Sequence, residues 1–232
     1  MTLSYSLEGN TAVLKMDDGK ANALSHEMIT ALLDGLERAQ KEASAVVLTG
    51  RPDKFCAGFD LRVMGAGPEG VKKLFLHGAE MLMRMFGYPM PLVIACTGHA
   101  LAGGAQVLLT ADVRFGAIGP YRIGLNETTI GMPLPILGVE FARARIPVTE
   151  LSRATLGAQI YTPEESVKAG YLDEALAAGE VMSRAMAEAE RLGSLSRQAY
   201  SATKDRLRGE ILTKVKATLE SDMNELLSQF GS

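Results

Sequence analysis

The sequence predicts an α/β protein with one large domain, with or without an appended segment, and a sheet that contains parallel strands. Its 232 residues are 47% hydrophobic, which is enough apolar material for a substantial core. A helical pattern lies between the strand patterns 11–16 and 45–49, and this order is a βαβ unit with an expected right-handed crossover. Residues 92–96 are wholly apolar, as expected of a strand that is buried on both faces.

The first elements are predicted to be a β-hairpin and an amphipathic helix. Apolar and polar residues alternate over 3–7 and 11–16, on either side of Gly9 and Asn10. Ser25 stands where it can cap the helix that follows. The apolar face of that helix has helical spacing and consists of Met28, Ile29, Leu32, Leu33, Leu36 and Ala39.

The middle of the chain is predicted to contain two glycine-bearing loops, each placed after a strand. The first covers residues 55–61 and precedes a helix over 71–86, which Pro89 and Pro91 end. The second follows strand 92–96, which Gly98 breaks, and leads through small residues into an apolar helical pattern.

The second half is predicted to be mainly helical after a strand over 113–118. Residues 121–138 are too irregular for one long element and too apolar for a linker. Thr149 and Thr162 are predicted helix N-caps, and Thr162-Pro-Glu-Glu165 has the full capping-box pattern, with Gly170 ending its helix. The remaining predicted elements are an extended piece over 171–175 and helices over 180–192 and 196–230, the last with a break near Gly209.

Charge and composition exclude several classes of function. The net charge is −3, and no basic patch is interleaved with aromatic residues, which argues against nucleic acid as a partner. The N-terminus lacks the features of a signal peptide, and no apolar run approaches the roughly 18 residues of a membrane span. Cys56 and Cys96 stand alone, as is typical of a reducing compartment. We therefore expect a soluble cytoplasmic protein without a membrane partner.

Several motifs are better explained without chemistry. Residues 65–70 fit G-x-G-x-x-G, but no acid follows the next strand to bind a ribose, so a flexible loop is the better interpretation. There is no G-x-S-x-G or HExxH pattern, and no metal site is expected. The scattered His26, His77 and His99 are interpreted as surface or loop residues, and Cys56 as a small buried side chain.

Two features are candidates for a site. Gly103 and Gly104 stand where a loop enters a helix, and unpaired backbone N–H groups there suit an anion or a developing negative oxygen. Close packing of helix on sheet explains the same glycines slightly better when they are taken alone. Glu127 is an acid in the mostly apolar segment 123–131, where withdrawal from water would raise its pKa toward that of a general base. A surface glutamate in a loop explains it equally well.

Taken together, five stretches resemble the crotonase superfamily, the enoyl-CoA hydratase/isomerase fold. Their order and spacing agree with that family over about residues 3–195. The five stretches are Lys20-Ala-Asn-Ala-Leu24, residues 46–50 with Phe55-Cys-Ala-Gly-Phe-Asp-Leu61, Gly98-His-Ala-Leu-Ala-Gly-Gly104, Ile123-Gly-Leu-Asn-Glu-Thr128, and residues 162–174.

The resemblance implies a spiral of ββα units over residues 1–195 and a helical region over 196–232 used to assemble a homotrimer or a dimer of trimers. It also implies an acyl-CoA thioester as substrate, with no tightly bound cofactor. The thioester oxygen would lie in an oxyanion hole between the backbone N–H groups of Phe59 and Gly103. The residues implied to bind substrate and coenzyme A are Lys20, Ala21, Ala23, Ala57, Gly58, Phe59, Asp60, Leu61 and Gly103.

The reaction type depends on Gln106 and Glu127. Hydratases of the family use two glutamates; the later one matches Glu127, but the first falls on Gln106, whose amide cannot deliver a proton. Moving a double bond from the 3,4 to the 2,3 position needs only one base. The segment 123–128 is also similar to that of mitochondrial-type Δ3,Δ2-enoyl-CoA isomerases. The resemblance therefore implies such an isomerase, with Glu127 as its single acid/base.

Two other functions stay open at this point. One is a hydratase in which Gln106 only orients water, and the other is a non-catalytic acyl-CoA-binding subunit. The length of the acyl chain is not given by the sequence, and the bulky Phe59 either narrows the pocket or points away from it. Five apolar side chains are candidates for the pocket wall: Met83, Phe86, Leu125, Met132 and Leu134.

Overall fold

The computed structural model describes residues 2–60, 62 and 67–230, and these form an α/β fold with two sheets. The first half contains β1 (Leu3–Glu8), β2 (Thr11–Met16), α1 (His26–Glu42), β3 (Ala45–Thr49), β4 (Asp53–Cys56), α2 (Pro68–Phe86), β5 (Leu92–Cys96), β6 (Gly98–Leu101) and α3 (Gly103–Thr110). The second half contains β7 (Val113–Ala117), β8 (Ile123–Gly124), a 3-10 turn (Glu127–Ile130), α4 (Ile136–Arg145), α5 (Val148–Thr155), α6 (Pro163–Ala169), β9 (Glu174–Leu176), α7 (Val181–Gly193) and α8 (Arg197–Phe230).

The larger sheet has the strand order β1-β2-β3-β5-β7-β9, and the smaller sheet has the order β4-β6-β8. Only the β1–β2 hairpin is antiparallel among these pairs; the pairing of β2 with β3 across α1 is parallel, as predicted for the βαβ unit. Every residue of β3 and β5 is buried. Alternate side chains of these strands point to α7 on one face and to the main core on the other. The predicted α/β class is therefore confirmed.

Local signals near the helix ends predicted the structure well. The Ser25 hydroxyl accepts a hydrogen bond from the Met28 N–H at 3.2 Å and caps α1. At α6, the Glu165 N–H donates to the Thr162 hydroxyl and the Thr162 N–H donates back to the Glu165 carboxylate, at 3.3 and 2.9 Å. Gly170 ends this helix in the left-handed region, with φ at +85°. These features are confirmed because they depend on neighbours in sequence.

The structure corrects the prediction around Gly98, which does not end the extended segment. A further strand, β6, begins at Gly98 and pairs with β4, which itself extends through Phe55 and Cys56 rather than giving way to a loop. A Cβ added at Gly98 would lie 2.0 Å from the carbonyl carbon of Asp53. The glycine is therefore needed for close pairing of two strands.

Two helix starts and one helix break were also predicted wrongly. The helix α2 begins at Pro68, so residues 68–70 are helical rather than part of a loop, while Gly65 and Ala66 lie outside the described residues. Thr149 does not cap α5, which follows Pro147 and begins at Val148. Gly209 does not interrupt α8, because a glycine inside a helix costs only about 1 kcal/mol and both halves of α8 pack on the rest of the chain.

The long helix α8 is anchored to the core by a buried cluster of charges. The Lys204 ammonium lies 2.7 Å from an oxygen of Asp112, and the Arg208 guanidinium lies 3.0 Å from the other oxygen. The same two cations donate to backbone carbonyls at the ends of α2 and α3 and before β5. Burial lowers the pKa of Lys204 to about 8.

Whether the chain divides at residue 195 stays a prediction.

Candidate active site

Two glycine-bearing loops lie side by side at one edge of the smaller sheet. They follow β4 and β6, which are parallel neighbours, so both loops leave the sheet at the same end. Gly58 has a left-handed φ of +92°, and a Cβ there would lie 3.0 Å from the Leu101 carbonyl oxygen and 3.2 Å from the Gly103 nitrogen. A Cβ at Gly104 would lie only 2.1 Å from the Cys56 carbonyl oxygen. Packing therefore explains Gly104, while the Gly103 nitrogen lies beside the first loop.

The backbone N–H groups of Phe59 and Gly103 have no acceptor within the described part of the chain. Leu24 bonds to the residues before and after Phe59, through Gly58 and Asp60, so the Phe59 N–H faces away from Leu24. Gly103 opens α3, where the first N–H groups have no partner inside the helix.

Strain is stored immediately before Gly103. Ala102 has a φ of +49°, which costs an L-residue energy and persists only where the surrounding structure holds it. Its N–H donates to the Gly124 carbonyl at 3.0 Å, which fixes the start of α3 to β8. No sequence pattern signals this conformation at an alanine.

A buried glutamate and glutamine face each other beside these loops. Gln106 lies one turn into α3, and its side-chain N–H donates to Oε1 of Glu127 at 2.8 Å. The two residues are 3% and 2% exposed. Burial raises the pKa of Glu127 above its ordinary value, and the hydrogen bond from Gln106 opposes this only in part. Among the described residues no donor reaches Oε2 of Glu127. This half-satisfied carboxylate is therefore suited to accept a proton.

The two loops and the buried pair line one cavity of about 170 Å³. Its wall is polar near Glu127 and apolar on the side of α2. Of the lining residues that the structure describes, Glu127 is the single ionisable one. The lining residues are Ala57, Phe59, Phe75, Leu101, Ala102, Gly103, Gln106, Asn126, Glu127, Ile130, Met132 and Pro135.

The loop that contains Lys20, Ala21 and Ala23 lies against the loop after β4. The Ala57 N–H donates to the Ala21 carbonyl at 3.1 Å, and the Lys20 N–H donates to the Asp18 carboxylate at 2.7 Å. The structure therefore brings these predicted substrate-binding segments to the edge where the cavity lies. Their contact with coenzyme A stays a prediction.

Asn22 organises this edge and was not singled out as a site residue. It is fully buried, and its side-chain amide donates to the backbone carbonyls of Met16, Lys54 and Phe55. A buried asparagine of this kind ties the loop to β2 and β4, a role that its sequence position within Lys20-Ala-Asn-Ala-Leu24 did not reveal.

Asp60 and Leu61 are the last two residues predicted to bind substrate and coenzyme A, and only Asp60 is described by the structure. The Asp60 carboxylate is paired with the Arg62 guanidinium at 2.7 Å, and this hydrogen bond holds the pKa of Asp60 below its usual range. Leu61 lies outside the described residues.

The apolar wall was predicted only in part. Met132 lines the cavity, and Phe59 lines it as well, with its ring centroid 4.7 Å from that of Phe75. Phe86 instead stacks on Phe141 in the main core, and Leu125 is buried in that same core. Met83 and Leu134 also pack against the main core and do not line this cavity. The missed wall residues come from distant segments that only the tertiary fold brings together.

Residues interpreted as non-catalytic lie outside the cavity. The imidazoles of His26 and His77 stack on each other with their Nδ1 atoms 3.0 Å apart, and His99 Nδ1 accepts from the Arg122 N–H. Cys56 is fully buried, and burial raises its pKa to about 12, so the thiol stays protonated. In the ranges that the structure describes, no three potential metal ligands cluster, and no helix has the length and apolar character needed to cross a membrane.

Comparison with known proteins identifies the class to which this fold and site belong. Residues 7–232 match the family described as enoyl-CoA hydratase/isomerase. The structure of an enoyl-CoA hydratase/isomerase family protein from Pseudomonas syringae superimposes with a TM-score of 0.94 and 36% identity, over 97% of this chain and 98% of that one.

Two curated relatives carry different activities in their names. The human mitochondrial enoyl-CoA delta isomerase 1 is 30% identical over 222 residues, which cover 94% of this chain and 74% of that protein. A Thermus thermophilus protein named putative enoyl-CoA hydratase is 30% identical over 207 residues, which cover 86% of this chain and 81% of that protein. The chain therefore belongs to the enoyl-CoA hydratase/isomerase family, the crotonase superfamily that its motifs resemble, and it is an enzyme of that family.

Proposed function

We propose that the protein is a Δ3,Δ2-enoyl-CoA isomerase. The observation that carries this proposal is the composition of the cavity wall: Glu127 is the single ionisable side chain among the described residues that line it. A shift of a double bond along an acyl chain needs one group that removes a proton and returns it elsewhere. Addition of water is better served by a second carboxylate, and the position facing Glu127 holds the amide of Gln106.

The proposed reaction begins when Glu127 removes a proton from C2 of a 3-enoyl thioester. The electron pair left on C2 is delocalised into the thioester carbonyl, whose oxygen becomes negative while the 3,4 double bond is retained. The N–H groups of Phe59 and Gly103 stabilise this oxygen, and preorganised donors of this kind are worth ~10²–10³ in rate each. The protonated Glu127 then gives its proton to C4, the double bond moves to the 2,3 position, and the carboxylate is restored.

Gln106 has a defined part in this scheme. Its N–H occupies Oε1 of Glu127 and leaves Oε2 without a donor among the described residues. The incoming proton is therefore directed to Oε2. The hydrogen bond also keeps the buried carboxylate ionised more readily than burial alone would allow.

A hydratase is the second candidate, and it is favoured by the hydratase name of the Thermus thermophilus relative. In that case Gln106 would orient a water molecule between itself and Glu127. A non-catalytic acyl-CoA-binding protein is a third reading, and it predicts thioester binding without exchange of the C2 protons for deuterium.

A comparison of two substrates separates these functions. We expect the purified protein to convert 3-hexenoyl-CoA to 2-hexenoyl-CoA at a rate far above its hydration of crotonyl-CoA. The readouts are absorbance of the conjugated product and chromatography of the 3-hydroxyacyl product. Hydration that equals or exceeds isomerisation would favour the hydratase, and absence of both reactions and of C2 exchange would favour the non-catalytic reading.

The close approach of the two loops predicts a large effect of Gly58→Ala. The new Cβ would press on the Leu101 carbonyl and the Gly103 nitrogen and would displace one donor from the proposed oxyanion hole. We expect kcat for isomerisation to fall by ~10²–10³. Gly9→Ala is the matched control, because Gly9 has a φ of +59° but no atom within 4 Å of a new Cβ. Equal activity of the two variants would remove Gly103 from its proposed role.

The raised pKa of Glu127 predicts the pH dependence of the reaction. The base must be ionised, so kcat/KM falls as the pH falls through the raised pKa and reaches a plateau above it. Gln106→Met keeps the length of the side chain and removes one of the hydrogen-bond donors that lower this pKa. We therefore expect the acidic limb of the variant to lie at a higher pH than that of the wild type. A limb that stays in place or moves to lower pH would contradict this coupling.

A further inference from the structure

We infer that the cavity limits the substrate to short acyl chains, of about four to six carbons, and that Phe75 and Met132 set this limit. The reaction in this inference rests on the proposed function. The limit on the size of the acyl group rests on the shape of the cavity. It names a substrate class that the family alone leaves open.

The volume of the cavity gives the first argument. An apolar cavity of about 150 Å³ in another protein takes up benzene, which has six carbon atoms. By that comparison the 170 Å³ cavity holds roughly six or seven non-hydrogen atoms. The reacting unit, which consists of carbons C1 to C4 and the carbonyl oxygen, already uses five of them. Room is left for one or two further carbons.

The packing behind the apolar wall gives the second argument. Phe75 and Met132 are 8% and 6% exposed, and they form one buried cluster with Met223 and Leu226 of α8. The wall is therefore supported by a second layer of side chains, and a longer acyl chain cannot push it back without disturbing α8. Forcing extra methylenes into a packed site costs free energy instead of gaining it.

Phe59 closes the cavity on a neighbouring side. Its ring lies so close to Gly78 of α2 that a Cβ there would overlap it, and it also lies 3.2 Å from the Cβ position of Gly103. The ring packs against Phe75 at an interplanar angle of 45°. Phe59 is thus held from two sides and does not offer an alternative path for a longer chain.

The test is a series of 3-enoyl-CoA thioesters with four, six, eight and ten acyl carbons. We expect kcat/KM to rise from four to six carbons, by about fourfold for each buried methylene, and to fall by about tenfold or more at eight and ten carbons. Phe75→Ala should raise the ratio of eight-carbon to six-carbon activity by about tenfold. Met132→Ala, the second variant, should raise the same ratio. A wild type that turns over the ten-carbon substrate as efficiently as the six-carbon one would overturn the inference.

The control variant is Leu76→Ala. Leu76 precedes His77 on α2 and packs against the same apolar cluster as Phe75, but it does not line the cavity. It should therefore leave the ratio of chain lengths as in the wild type. If Leu76→Ala changes the ratio as much as Phe75→Ala does, general loosening of α2 explains the effect. Phe75 would then not set the limit on chain length.

Equilibrium binding separates this inference from the proposed function. Saturated butyryl-, hexanoyl- and decanoyl-CoA have no double bond to shift, so their affinities report the size of the site independently of isomerisation. Tighter binding of hexanoyl-CoA than of decanoyl-CoA supports the limit even if no 3-enoyl substrate is isomerised. Affinity that continues to rise through decanoyl-CoA overturns the limit even if isomerisation is observed.

Discussion

Replacing Glu127 by glutamine is expected to lower kcat for isomerisation by ~10²–10⁴, the usual contribution of a positioned acid or base. The amide has the same shape as the carboxylate and can still accept the hydrogen bond that Gln106 donates at 2.8 Å. Thioester binding should therefore persist while proton removal from C2 is lost. Product formation from 3-hexenoyl-CoA measures isomerisation, and deuterium exchange at C2 of hexanoyl-CoA measures proton removal. Both are measured separately from binding.

The matched control for Glu127→Gln is Glu140→Gln. Glu140 is a second buried glutamate, 8% exposed, whose carboxylate pairs with Arg143 and Lys214, both at 2.9 Å, and it does not line the cavity. The same chemical change there should leave the rate per folded molecule within about twofold, because the site and this ion-pair network are separate. If Glu127→Gln keeps a rate similar to that of Glu140→Gln, Glu127 is not the base.

The fold was predictable where the controlling contacts are close in sequence. The hairpin around Gly9, the Ser25 cap and the Thr162 capping box each depend on residues within a few positions. The strand that begins at Gly98 was missed because it pairs with Asp53, which is 45 residues away in the chain. A Cβ added at Gly98 would lie 2.0 Å from the carbonyl carbon of Asp53. Glycine as a chain breaker and glycine as a site of close approach look the same in a sequence.

The motif residues of the cavity wall were predictable from the sequence, but their burial and the rest of the wall were not. The motif resemblance selected Phe59, Gly103, Gln106 and Glu127, and the structure brings all four to the wall of one cavity. Burial of Glu127 could not be read from its segment, because it depends on Gln106 and on the whole cavity wall. The cavity size likewise depends on Phe75, whose position on α2 relative to Glu127 is a tertiary property.

The burial of charges on α8 also could not be predicted from the sequence, because it depends on tertiary contacts. Lys204 and Arg208 both lie against Asp112, which is 92 and 96 residues earlier in the chain. This contact connects α8 to the end of α3, the helix that carries Gly103 and Gln106.

Loss of Asp112 is therefore expected to be strongly destabilising. Asp112→Ala leaves two buried cations without their carboxylate, and breaking a buried ion pair in this way costs about 3–5 kcal/mol in the free energy of unfolding. Asp112 is also the opposite charge that counteracts the effect of burial on Lys204, whose pKa already lies at about 8. Denaturant unfolding followed by circular dichroism measures the change. The control is Asp205→Ala, on the exposed side of α8, which should change the stability by no more than about 0.5 kcal/mol.

A double variant tests whether the cost comes from the unpaired charges. In Asp112→Ala combined with Lys204→Met, one of the two cations is removed together with its partner, so the loss should be smaller than the sum of the two single losses. Additive losses would mean that Asp112 and Lys204 act independently in spite of the 2.7 Å between their charged atoms. An unfolding midpoint of Asp112→Ala equal to that of Asp205→Ala would show that the backbone carbonyls around Lys204 and Arg208 satisfy both cations without the carboxylate. The position of α8 behind Met132 and Phe75 would then depend on its apolar contacts and on these hydrogen bonds to backbone carbonyls rather than on Asp112.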